Sequence, residues 1–239
     1  MTPTLPRAAR PPRQRGVSLI EFTIVFPVAV LFVLALIQTG FVFMAKSTLS
    51  HATFMAARAG AINNARDSVI KEAMIRGLSP FYQNATHTDD STRLALAYAE
   101  AKLDAVLFLK IQKLSPSAAA FKDFGVKDPA TKVVAIPNDN LEWRSNVLGS
   151  TSKVNIRDAN LLRIRTVYAY ELKVPLMAWV VSRVMCGGSA GVEAWGNVSL
   201  IDSVYGLKKP VDCALYYQQG RMPIESVATI EMQSAAIQN

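Results

Sequence analysis

The chain has 239 residues, with 26 Lys and Arg against 18 Asp and Glu and a formal net charge of +8. Half of it is hydrophobic (51%), which is enough for a packed core and excludes a disordered chain. The basic excess does not describe a nucleic-acid-binding face, because Arg7, Arg10, Arg13 and Arg15 crowd the first fifteen residues and no later Lys/Arg stripe with interleaved aromatics follows.

In chain order, residues 1–16 form a basic leader. Residues 17–45 are apolar, with Glu21 and Gln38 the strongly polar exceptions. As a helix, residues 22–45 alone reach about 36 Å, enough to cross a hydrocarbon core of about 30 Å with some tilt. The run is longer than a secretory h-region of about 7 to 15 residues and lacks a small-x-small cleavage site at its far end, so it is expected to stay as an anchor. The arginines before it keep the N-terminus in the cytoplasm and send the remainder outside. Pro27 removes one backbone hydrogen bond and is expected to kink the helix.

Residues 46–65 are expected to continue the membrane helix as a stalk, making 17–65 the transmembrane helix and stalk and 66–239 the exported domain. Ala52, Ala56 and Gly60 recur every four residues. Such a small-residue face admits the close approach of another helix. It serves equally as a buried face against the protein's own domain.

Beyond the stalk, residues 67–76 read as a short helix ended by Gly77 and Pro80. Residues 81–91 are turn-rich. Residues 92–112 carry Leu94, Leu96, Tyr98, Ala101, Leu103, Val106, Leu107 and Leu109 at largely helical spacing, and Ser115-Pro116 stops them. Residues 116–131 read as loop or short helix. A strand-rich half follows, with candidates at 132–136, 141–147, 153–156, 162–172, 198–204 and 224–232. The clearest is 162–172, where Ile164, Thr166, Tyr168, Tyr170 and Leu172 share one face. The apolar stretch 176–185 is too short to span and reads as a core helix or as a segment lying on the membrane. Helices followed by strands give an α+β domain with an antiparallel sheet.

The junction Arg15-Gly16-Val17-Ser18-Leu19-Ile20-Glu21-Phe22 resembles a class III signal peptide, the site cut by prepilin peptidases in type IV pilins and pseudopilins. The resemblance implies cleavage after Gly16, with Val17 the first mature residue. A carboxylate within a membrane segment costs about 2.5 to 3.5 kcal/mol at a helix centre and less near an end. Cleavage creates a cationic amine on Val17, four residues before Glu21 and on the same helix face, and Glu21 lies in the first turn, where the helix dipole favours it. The partner amine can equally belong to a neighbouring subunit. Without processing, Glu21 reads as an interfacial residue snorkelling to the headgroups.

Glu21-Phe22 leads to Phe26-Pro27, then to Leu49 and the block Ala56-Ala57-Arg58-Ala59-Gly60-Ala61. This is similar to the TadE/TadG-like family of minor pseudopilins in tight-adherence (Tad, or Flp) pilus systems, and Arg221 to Thr229 resembles the closing strand of such proteins. The Val-Ser-Leu-Ile-Glu string is also close to type II secretion pseudopilins and type IVa minor pilins, which usually begin with Phe and lack the Ala-Ala-Arg block. The resemblance implies a bacterial inner-membrane protein with a periplasmic domain, acting in pilus initiation, assembly or anchoring. Its partners would be membrane lipid, a prepilin peptidase, other minor pseudopilins and the assembly platform. Glu21 and Phe22 would set assembly register. An unprocessed single-pass scaffold or binding protein is the alternative.

Cys186 and Cys213 lie outside by this topology, where an oxidising periplasm favours their pairing. A loop of about 27 residues would then contribute about 3 to 4 kcal/mol in the chain-entropy model; two unpaired buried cysteines are the other reading. With no CxxC and two distant histidines, His51 and His87, neither metal nor cofactor is expected. There is no P-loop, and Gly187-Gly188-Ser189-Ala190-Gly191 lacks the setting of a dinucleotide site. The chain is not expected to be an enzyme.

Overall fold

The structure, a computed structural model, describes residues 19–84, 89–127, 132–185 and 216–238. The apolar run and the segment behind it form one uninterrupted helix, α1 (Leu19–Ile62), which continues through Pro27. Among the described residues it is the one helix long and apolar enough to cross a membrane. Its two ends meet different surroundings. Residues 21–33 are all exposed, including Phe22, Ile24, Phe26, Val28 and Phe32. From Ala45 onward one face sinks into the protein, burying Leu49, Ala52, Thr53, Ala56, Ala57 and Ala61. The segment expected as a stalk is thus an unbroken continuation of the apolar helix and also the central element of the core.

After a tight reversal, in which Asn64 and Ala65 hold positive φ (59° and 54°), α2 (Asp67–Leu78) runs back along α1. A single 3-10 turn, Ser79–Tyr82, leads on to α3 (Asp90–Phe108), which is capped by Asp89 accepting from the Thr92 amide. Then follow β1 (Leu109–Ser115), α4 (Ala118–Phe124), β2 (Val126–Lys127), β3 (Val134–Ile136), α5 (Ile156–Ala159), β4 (Leu161–Glu171), α6 (Met177–Met185), β5 (Arg221–Glu231) and β6 (Ala236–Ile237). The main sheet is antiparallel in the order β1-β4-β5, with Ile164 opposite Ala228 and Tyr168 opposite Ile224. A second, small antiparallel sheet has the order β2-β3-β6. This is an α+β arrangement, as the order of helices and strands leads one to expect.

Alternation along β4 buries Leu162, Ile164, Thr166 and Tyr168, and α1 lies across β4 and β5. A buried hydrogen bond of 2.6 Å joins the Thr53 and Thr166 hydroxyls across that contact. The chain end closes over the C-terminus of α1: the amides of Gln233 and Ser234 donate to the Ala61 carbonyl at 3.0 and 3.1 Å, and that of Ile237 donates to the Asn64 carbonyl at 3.1 Å. Carbonyls that a helix end leaves without intrahelical partners are thereby satisfied.

Several sequence expectations need correction. The helix expected over 92–112 ends at Phe108, and residues 109–115 pair with β4 instead. The Leu109-Lys110-Ile111-Gln112 alternation fits a ladder whose neighbour is already present, and pairing outweighs one further helical turn. On α3 the packed residues are Ala97, Ala101 and Ala105, whereas Leu94, Leu96, Leu103, Val106 and Leu107 face outward. The stretches 141–147 and 153–156 are not strands. Leu141–Trp143 forms a single 3-10 turn after Asn140, which has φ 52°. Ile156 opens α5, because the Asn155 side chain accepts from the Asp158 amide at 2.7 Å and supplies a helix N-cap. The strand candidate 198–204 lies outside the described residues.

Candidate functional site

Glu21 sits in the first turn of α1 and is exposed. Phe22 stacks on Phe26 one turn later, with ring centroids 5.2 Å apart. Gly16 and Val17 lie outside the described residues, as do Cys186 and Cys213. The second polar residue of the apolar run, Gln38, is buried, and its Oε1 accepts a hydrogen bond from the Val174 amide at 2.9 Å. A local reading of the run has no means of finding this partner, which comes from the far side of the sheet in sequence.

The small-residue face of α1 is occupied by the same chain. A Cβ on Gly60 would stand 2.6 Å from Cγ1 of Ile70 on α2 and 2.9 Å from Cδ2 of Leu162 on β4. A Cβ on Gly77 of α2 would stand 2.6 Å from the Ala52 Cβ. Ala52 and Ala56 are fully buried. Of the two readings left open for Ala52, Ala56 and Gly60, the geometry is that of packing against the protein's own domain. Within the Ala-Ala-Arg-Ala-Gly-Ala block, Ala56, Ala57, Gly60 and Ala61 are buried and Arg58 is exposed.

A polar cluster that the sequence did not reveal ties α3 to the sheet. Asp104 of α3 accepts from both terminal nitrogens of Arg221 at the start of β5, at 2.9 and 3.0 Å. It also accepts from the Tyr168 hydroxyl at 3.1 Å and from the Tyr82 hydroxyl. The two phenols are 2.6 Å apart. Arg221 donates in addition to the Ala169 carbonyl at 3.0 Å and lies 3.8 Å from the Phe108 ring centroid. Burial, followed by the Asp104 carboxylate, pushes the Tyr82 phenol well above its ordinary value. Burial does the same for Tyr168. Both phenols are therefore held protonated as donors, and bidentate Arg–carboxylate geometry fixes their common acceptor. The cluster borders an open cleft of about 560 Å³, with Phe81, Glu100, Leu103 and Lys173 on its walls. No spacing rule connects Tyr82, Asp104, Tyr168 and Arg221; the one local signal is an aspartate set between Leu103 and Ala105 in an apolar helix.

Among the described residues, no group of three or more His, Cys, Asp and Glu side chains is placed to hold a metal ion.

In comparison with known proteins, the family model for TadE-like proteins matches residues 16–58. The match covers the exposed part of α1 and most of its buried face. Over that stretch the chain is similar to TadE-like proteins. No curated protein and no solved structure matches the chain.

Proposed function

We propose that this chain is a minor pseudopilin of a Tad pilus assembly system, a structural subunit and not an enzyme. It is inserted with its leader in the cytoplasm and cut after Gly16 by a prepilin peptidase. The exposed part of α1 holds it in a bacterial inner membrane, and the domain built on the rest of α1 lies in the periplasm, where Cys186 and Cys213 pair. Gly16 and Val17 are substrate positions.

One observation carries this reading: the TadE-like match falls on a helix whose residues 21–33 are all exposed. A run that apolar is stable where lipid replaces water. Glu21 is the only ionisable residue between positions 17 and 45. It lies in the first turn, where a new α-amine on Val17, or on a neighbouring subunit, would neutralise it and set register. The outward-facing Leu103, Val106 and Leu107 of α3 supply an apolar patch suited to contact with other minor subunits. With them and the assembly platform, the protein acts in initiation, assembly or anchoring.

The test is the N-terminal sequence of the membrane-extracted protein from cells with and without the prepilin peptidase. A peptidase-dependent start at Val17 is expected. An intact leader in both strains would remove processing and leave an unprocessed membrane scaffold as the better reading.

A further inference from the structure

We infer that α6 is an interfacial helix, lying in the headgroup layer of the bilayer that α1 crosses, with Leu176 and Trp179 set into the lipid. The inference rests on the reading of α1 as a membrane span.

The first support is position along α1. The chain entering α6 is fixed to α1 by the Val174 amide donating to Gln38 at 2.9 Å, and α6 packs beside α1. From Glu21, the ionisable residue of the apolar run, to Gln38 the helix rises about 26 Å at 1.5 Å per residue. That is close to a hydrocarbon core of about 30 Å. With the Glu21 carboxylate at one boundary, the Gln38–Val174 contact falls near the other. Gln38, which lipid would not tolerate bare, is buried there against the chain.

The second support is surface chemistry. Met177 faces the protein, while Leu176 and Trp179 are 62% and 63% exposed. An exposed tryptophan beside an exposed leucine is poorly suited to water and well suited to the headgroup–acyl boundary, where its ring is apolar and its N–H stays hydrated. Arg183, one turn on, holds its guanidinium 5.6 Å from the Trp179 ring centroid. An arginine there keeps its stem along the lipid and its charge among phosphates.

The third support is continuity. The lipid-facing band of α1 does not stop at Gln38: Phe41, Phe43 and Met44 are exposed just beyond it. They extend the band into the layer that α6 would occupy. Nine residues of helix bind a bilayer weakly alone. Tethered to a spanning helix, α6 is already at the surface and needs no separate affinity.

The experiment uses the full chain in phosphatidylcholine–phosphatidylglycerol vesicles with brominated acyl chains as depth-dependent quenchers. In the Trp143→Phe/Trp195→Phe variant, Trp179 is the remaining tryptophan. Its emission is expected to be quenched at least twofold more strongly by bromines near the headgroup end of the chain than by bromines near its middle. In a second variant that also carries Trp179→Phe and Val28→Trp, the introduced probe is expected to show the opposite preference. Deep quenching at position 28 with no quenching of Trp179 would overturn the interfacial helix and leave the span intact, whether Trp179 then proves open to aqueous acrylamide or sheltered by protein. Absence of quenching at position 28 would sink the span and the inference with it. If Trp195→Phe impairs folding, the wild-type chain is compared with Trp179→Phe, and the shallow-quenched component must disappear.

Discussion

Replacing Asp104 with alanine removes the acceptor on which Arg221, Tyr168 and Tyr82 converge. The loss can be worked from what each partner keeps. The phenols, which both donate to Asp104, lie 2.6 Å apart, so without it one can donate to the other and a single hydroxyl proton loses its acceptor. Arg221 retains the Ala169 carbonyl and the Phe108 face, but loses two charge-assisted bonds of 2.9 and 3.0 Å. Breaking a buried pair by removing one partner costs about 3–5 kcal/mol, chiefly because a charge is left without compensation. The side chains here are 17% (Arg221) and 14% (Asp104) exposed, and Arg221 is not fully abandoned, so the lower end applies, about 3 kcal/mol. That is a large share of a domain stability of about 5–15 kcal/mol. The check is urea unfolding of the detergent-solubilised full chain, followed by far-UV circular dichroism, for Asp104→Ala, Arg221→Met and the double variant. The double variant is expected to recover at least about 1.5 kcal/mol relative to the sum of the singles, since it buries no unpaired charge. A loss below about 1 kcal/mol for Asp104→Ala, or strict additivity of the two changes, would refute the reasoning.

Further outcomes follow from the same geometry. The Tyr82 and Tyr168 phenols are raised by burial, so the folded state holds their protons where the unfolded state releases them. Their contribution is complete below the ordinary tyrosine value of about 10 and is lost as pH rises above it; the tyrosinate absorbance that Tyr82→Phe and Tyr168→Phe remove from the total should therefore appear together with alkaline unfolding and not before it. Gly77→Ala, which in an exposed helix would gain about 1 kcal/mol, is expected to destabilise here, because its Cβ would stand 2.8 Å from the Ala52 Cα; a raised thermal midpoint would contradict the close packing of α1 on α2. Asp89 is held down to about 2 by the hydroxyls of Thr92 and Ser91 and by the Thr92 amide. Its capping contribution is complete above the ordinary aspartate value of about 3.9 and is lost as pH falls toward 2, so Asp89→Ala should flatten the dependence of the thermal midpoint on pH in that window.

What the sequence made legible is local. The apolar run, the helix at α2 and the strand β4 each carry their own periodicity over enough residues to identify themselves. The misreadings lie where a distant partner decides. Leu109 to Gln112 alternates while also continuing a helical pattern, and only β4 beside it selects the strand. Leu103, Val106 and Leu107 look like a core face by size, yet the core takes the alanines at 97, 101 and 105 because α3 approaches its neighbours closely there. The small residues at 52, 56 and 60 announced close packing without naming the partner, which proves to be α2 and β4. The Asp104 cluster was invisible for the same reason: its four residues come from four elements and meet only through the fold.

The two surroundings of α1 explain why one segment carries so much of what is recognisable here. A helix that is apolar and exposed at one end and the centre of a core at the other must satisfy two surroundings with one backbone. At the first end bulk is wanted, and Phe22, Phe26, Val28 and Phe32 supply it to every side. At the second, bulk would hold α2 and the sheet away, and Ala52, Ala56, Ala57, Gly60 and Ala61 let them come close. No loop separates the two regimes, since α1 is continuous from Leu19 to Ile62. Because the buried end is held by α2, by β4 and β5 and by the closing hydrogen bonds to Ala61, a tilt imposed on the exposed end is expected to turn the domain with it. On the proposed reading, the angle of the membrane segment would pass to the domain and so to the outward Leu103 and Leu107 of α3, which lie toward the same end of the domain as Lys173. Inserting a Gly-Gly pair after Val33, on the exposed side of the Gln38–Val174 contact, would uncouple the two: membrane insertion and domain stability should both survive it, while any assembly that depends on the relative angle of helix and domain should fail.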